Sequence, residues 1–255
     1  MFELLRKFSL LMILFVVGMG TYLSMSNSTD WREPLWVQVY PINGDGREST
    51  EKYMGRLEKD DFKSIELFML NEAEKFGVSI KKPVKVVMGR PISELPPEPP
   101  RSANPFSIGY WSLKLRWWAN DVTDDQPGPK PDIRLFLVYF DPEGVTTVAH
   151  SLGLQKGLIG IVNIFASRHQ AATNNFVIAH EMLHTLGARD KYAPDNMPAF
   201  PDGYADPDKT PLYPQQKAEI MGGRIPLSQA EAVIPRSLRQ VVVGATTAKE
   251  IRWIE

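Results

Sequence analysis

Between Leu35 and Leu186 the chain alternates short β-branched runs with stretches of helical spacing, and that order restricts the fold more than any other feature. Leu35–Tyr40 alternates and predicts a strand; Pro41–Gly46 predicts a turn. Glu51–Phe76 carries Phe62, Ile65, Phe68 and other apolar residues at helical spacing without a proline, and Gly77 offers a C-cap. Pro83–Val87, Ile133–Phe140 and Leu158–Phe165 predict further strands, with Val145–His150 a short edge strand. Asn174–Leu186 predicts a helix that begins at an asparagine cap and ends at Gly187. Strands and helices interleaved in this way imply one mixed α/β domain. Ile108–Asn120, with Trp111, Trp117 and Trp118, fits helix or strand, and its tryptophans read as packing residues. Tyr192–Pro214 is rich in proline and aspartate and predicts irregular backbone. Ser228–Val241 has helical spacing that Pro235 would kink, and Ala248–Ile254 predicts a last short element.

The first 27 residues have a separate character. Arg6 and Lys7 precede an apolar run from Phe8 to Met25, the pattern of a cleaved export signal or an uncleaved membrane anchor. Either reading exports the body, residues 28–255, and limits membrane contact to the N-terminal segment. The formal net charge of -1 gives no reason to expect a nucleic-acid partner. The chain has no cysteine, which excludes disulfides, thiolate metal sites, cysteine nucleophiles and lipid attachment through cysteine. Oligomeric state is not legible in these features.

The chemistry sits in the last of the predicted helices. His180 and His184 are four residues apart, so their rings lie on one helical face and can bind one metal ion from the same side. Glu181 points in a neighbouring direction, where a carboxylate can exchange a proton with water on that metal. Gly187 lets the chain turn sharply, and Asp190, six residues after His184, can swing back as a third ligand. Glu219 is the alternative third ligand. Three protein ligands leave the open position that a catalytic zinc site requires.

His180-Glu181-Met182-Leu183-His184-Thr185-Leu186-Gly187-Ala188-Arg189-Asp190 resembles the extended zinc signature of the metzincin metallopeptidases, in the snapalysin-like form that ends in aspartate. Ala218-Glu219-Ile220-Met221-Gly222-Gly223 is similar to the methionine turn of that clan. The resemblance implies a zincin fold with a mixed twisted sheet, an active-site helix and a methionine turn. It implies one catalytic Zn2+ on His180, His184 and Asp190, Glu181 as general base, and a buried structural Met221. The implied reaction is endopeptidase hydrolysis of a protein or peptide outside the cytoplasm. The alternative is a catalytically inactive zinc-binding or scaffold protein that keeps the fold. Val148–Ser151 stands where such enzymes carry the edge strand that lines the cleft. The turn lacks the tyrosine that some members carry, so Tyr192 and Tyr204 are only candidates for stabilising an oxyanion. His150 and His169 are candidates for a second zinc or for shaping the cleft. Asp195, Asp202, Asp206 and Asp208 match no calcium loop and read as turn residues.

Overall fold

The computed structural model describes Met12 and residues 29–100, 104–125, 130–145, 147–155 and 157–255. The expected signal or anchor, residues 1–27, lies outside the described residues apart from Met12. Among the described residues no helix is long and apolar enough to cross a membrane.

A five-stranded mixed sheet forms the centre, in the order β2-β1-β3-β5-β4. Its strands are β1 (Leu35–Asn43), β2 (Val84–Met88), β3 (Ile133–Phe140), β4 (Leu152–Leu154) and β5 (Ile159–Phe165). β2, β1, β3 and β5 run parallel, and β4 runs antiparallel along the β5 edge. The strand expected to stop at Tyr40 continues through Pro41 to Asn43. The Pro41 carbonyl accepts from Ile92 N, so the missing N–H faces the side where β2 has already ended.

The period-2 alternation sends the strands' side chains into two separate cores. Val37, Val39, Leu135, Leu137, Val162 and Ile164 face the helices α2 (Lys63–Lys75) and α4 (Ala171–Thr185). Tyr40, Ile42, Phe136, Val138, Ile159 and Ile161 face α3 (Pro105–Asp121). The stretch that fitted helix or strand is therefore helical, begun by Asn104, whose side chain accepts from Phe106 N, and by Pro105 at the first position.

Three expectations are corrected. The long helix of residues 51–76 is two helices, α1 (Glu48–Met54) and α2, separated by Gly55–Glu58 and a 3-10 turn at Lys59–Phe62. A reciprocal Glu58–Asp61 capping box restarts the chain there. The edge strand is Leu152–Leu154, not Val145–His150, because Gly153 is the residue that fits under α4. A Cβ at Gly153 would collide with His184 Cβ and the Glu181 carbonyl. Ser228–Val241 holds no α-helix. It contributes β8 (Ala232–Val233), a 3-10 turn at Leu238–Gln240 and the start of β9 (Val241–Val242), which pair with β7 (Ile225–Pro226) and β6 (Ala218–Glu219). Pro235 prevents a continuous helix, and the short pairings brace the segment that contains Met221. A final helix α5 (Ala245–Glu250) lies three residues earlier than the element expected at Ala248–Ile254, and residues 251–254 are turn and irregular chain.

Candidate metal centre

α4 starts three residues earlier than its sequence suggests, after a 3-10 turn at Arg168–Gln170. Asn174 is inside the helix, not at its cap. Its amide donates to the Phe165 carbonyl, and that of Asn175 donates to the Asp61 carbonyl and to Ser64 Oγ. These bonds fix the helix to the end of β5 and to the start of α2. His180 and Glu181 are buried as a result, while His184 is partly exposed at the helix end.

The helix ends in a Schellman motif. Ala188 N donates to Leu183 O at 3.1 Å, Gly187 N donates to His184 O at 3.1 Å, and Gly187 takes φ +106°. The reversal places the Ala188 carbonyl 2.8 Å from His184 Nδ1 and turns Asp190 back over the helix. His180 Nδ1 meets the Ile220 carbonyl at 2.8 Å. A carbonyl only accepts, so each Nδ1 carries the proton and each neutral ring presents an Nε2 lone pair. Those lone pairs converge. His180 Nε2 and His184 Nε2 are 3.1 Å apart, and Asp190 Oδ1 lies 3.3 Å from the first and 3.1 Å from the second. Three acceptors at such separation repel one another unless a metal ion or a proton on a ring nitrogen lies between them.

Asp190 is held in place from the C-terminal end of the chain. Glu250, on α5, accepts from Arg189 N at 3.0 Å, Arg189 Nε at 3.0 Å and Lys191 Nζ at 2.7 Å. Lys191 N donates to the Met221 carbonyl at 2.9 Å. Glu219 is no rival ligand. Its buried carboxylate accepts from Met221 N and Gly222 N through one oxygen and from Gly244 N and Thr247 Oγ1 through the other. It shapes the turn that carries the fully buried Met221 and the Ile220 carbonyl.

Glu181 supplies the other acid. Its carboxylate and the two histidine nitrogens all lie within 4.8 Å of one another, a group that can hold a metal ion. Its Oε2 is buried without a hydrogen-bond partner. Burial pushes its carboxyl above the ordinary value, against the opposing pull of His180 and His184. Burial disfavours a charged His180, yet Asp190 and Glu181 outweigh it and raise its pKa. Burial would also raise Asp190, but with no metal ion between them protonated His180 and His184 rings would donate to it and hold it far below the usual carboxylate range.

A cleft of about 310 Å³ opens beside these groups, lined by Val148–Ser151, Phe176, His180, Glu181, Tyr192, Arg224 and Ile234 among others. Val148–Ser151 therefore lines the cleft as expected, though as irregular chain preceding β4. Tyr192 stacks near His180, with ring centroids 6.4 Å apart. Burial, then Asp190 and Glu181, push its phenol up to about 12. Tyr204 is turned away, its hydroxyl 2.8 Å from that of Tyr213. His150 lines the cleft, whereas His169 is exposed in the 3-10 turn before α4. Asp195 accepts from Met197 N and Asp202 from Thr246 Oγ1, so these loop aspartates serve turns and packing. Among the described residues, His180, Glu181 and His184 are the one group of this kind.

The carbonyl partners of the two rings and the Glu250 clamp escaped sequence reasoning, because backbone acceptors and contacts across about 60 residues leave no local signal. No protein-family model matches the chain, and no curated protein matches it.

Proposed function

We propose that the chain is a zinc-dependent endopeptidase of metzincin type, exported by its N-terminal segment and acting on protein or peptide substrates. The observation that carries this reading is the convergence of His180 Nε2, His184 Nε2 and Asp190 Oδ1 beside the unpartnered Glu181 Oε2. Nitrogen and oxygen ligands about 2.0–2.1 Å from a tetrahedral ion stand about 3.3–3.4 Å apart. The observed 3.1–3.3 Å triangle fits that requirement. Two imidazoles and a carboxylate are a donor set that suits zinc. When bound, zinc with three protein ligands keeps an open position, acidifies water and polarises a carbonyl.

The chain's own residues do the rest. Ile220 O and Ala188 O hold the two rings in the tautomer that leaves Nε2 free. Glu181, buried beside the two rings with Oε2 unpartnered, is placed to act as the general base. It takes a proton from the attacking water and returns it to the departing amine. Val148–Ser151 offers an irregular segment along the cleft, beside which an extended peptide backbone can lie. The Met221 turn supports His180 from below through the Ile220 carbonyl.

The test is metal content of the purified full chain together with cleavage of an unstructured protein. Wild type is expected to carry one zinc per chain and to cleave. Chelation should stop cleavage and added zinc restore it. Glu181→Ala should keep the metal and lose cleavage, and Asp190→Ala should lose metal affinity sharply. A chain without zinc overturns the proposal, and zinc without cleavage leaves a non-catalytic metal protein.

A further inference from the structure

The helix α3 has two apolar stripes. The inner one, Trp111, Leu115 and Trp118, is core. The outer one, Phe106, Tyr110, Leu113 and Trp117, has 4-3-4 spacing on the opposite side and runs about 16 Å along the axis. Those four side chains are 88%, 72%, 62% and 71% exposed. A contiguous row of large apolar side chains in water marks an interaction face. We propose that this face rests on a lipid bilayer, with the stripe entering the headgroup region of a membrane containing anionic lipid.

The composition of the face favours lipid over protein. Tyr110 and Trp117 have an apolar body and a polar tip, the form suited to a membrane boundary, while Phe106 and Leu113 are wholly apolar. Lys114 borders the stripe on one side and Arg116 on the other, and the one acid of the helix, Asp121, is its last residue. Cations flanking an apolar stripe are what an anionic interface attracts.

The chain outside the body points the same way. Read as a signal or anchor, Phe8–Met25 brings the protein to a bilayer. Only Ser26, Asn27 and Ser28 separate that run from Thr29, which is already buried in the body. The four Cα steps from Met25 to Thr29 can reach no more than about 14 Å, so a body on an uncleaved anchor stays against the membrane. α3 ends beside the N-terminal ends of β1 and β3, where the chain enters the sheet. Arg134 Nη1 donates to Ala119 O at 3.1 Å and to Asn120 Oδ1 at 2.8 Å, and Asp132 N donates to Trp36 O at 2.9 Å. α3 also covers the face of the sheet opposite α4, so lipid beneath α3 leaves the α4 side to the aqueous phase. The proposal does not depend on peptidase activity.

The absence of cysteine makes a direct test available. Leu113→Cys and Leu67→Cys each place a single thiol at an exposed position, on α3 and on α2 respectively. The full-length variants are labelled with a fluorophore and reconstituted into vesicles of phosphatidylethanolamine and phosphatidylglycerol. The label at 113 is expected to be quenched severalfold more by lipid brominated in its acyl chains than the label at 67, and to be shielded from iodide. This difference should not change with the protein-to-lipid ratio. Phe106→Cys supplies a second position on the stripe if the first variant folds poorly. Equal iodide quenching at 113 and 67 overturns the proposal. Shielding from iodide without bromolipid quenching, growing with protein density, also overturns it and assigns the face to a second copy of the chain.

Discussion

The two faces of the sheet present similar aliphatic and aromatic side chains, yet what covers them differs in kind. On one face α4 is held by buried amides, by the β4 edge and by the Schellman turn, and the Nδ1 atoms of both its metal-motif histidines meet backbone carbonyls. On the other face α3 packs through Trp111, Leu115 and Trp118 and turns a second apolar stripe to the outside. The first face uses its helix to fix angles and distances around a charged site. The second uses its helix as a cover, whose outer surface is free to meet something else. A sheet supplies both kinds of support because the same alternation builds both cores and leaves the outer surfaces unconstrained.

The largest expected contrast is chemical. Glu181→Gln should lower cleavage about 10²–10⁴-fold with zinc content unchanged, the usual range for a lost general base. Trp117→Ser should leave cleavage of a soluble peptide unaffected, measured in the same assay. Next comes a pair of neighbours on α3. Trp118 packs on Phe136 at 4.7 Å between ring centroids, so Trp118→Ala should cost about 3–5 kcal/mol in urea unfolding. Gly187→Ala should cost about 1 kcal/mol or more, because alanine resists the positive φ and its Cβ meets Gln155. It should also weaken zinc binding, since Asp190 follows that turn.

A smaller effect appears in the acid range. Glu66, on α2, accepts from Val86 N at 2.9 Å and pairs with Lys63 at 3.0 Å, covering a backbone donor of the edge strand β2. Burial would raise its carboxyl, but the Val86 N–H and Lys63 outweigh that and lower it. A lowered folded value means a contribution that is full above the ordinary 4.5 and is lost as pH falls through the folded value. The thermal midpoint of wild type should therefore drop more steeply than that of Glu66→Gln between about pH 5 and about pH 3. Smallest of all, Trp117→Ser should change unfolding by no more than about 0.5 kcal/mol, beside the large loss at Trp118. A large loss at Trp117 would show that its ring carries core packing and would erase the contrast between the stripes.

Much of the site was readable because its geometry is local. The spacing of His180 and His184 sets two rings on one helical face whatever surrounds the helix, and Gly187 with Asp190 is a short-range reversal. Glu219 was misread as a possible ligand because a carboxylate near a metal motif and a carboxylate that organises a turn have the same sequence. The helix expected at Ser228–Val241 failed for a related reason. Its apolar spacing was real, but Pro235 and the pairing with β6 and β7 dictated extended segments. α3 was ambiguous because it has two apolar stripes, and periodicity cannot say which one the core will take.

The sequence by itself determined the alternation of strands and helices, the pair of histidines and their neighbouring glutamate, and the sharp turn toward Asp190. These follow from dihedral preferences and helical repeat, which act over a few residues. Only the tertiary structure decided that Ile220 and Ala188 orient the rings, that Glu250 clamps the Asp190 segment and that Trp118 goes inside while Trp117 stays out. Those outcomes depend on which distant surfaces meet, and the entropy lost in closing such long loops is recovered only when the whole core packs.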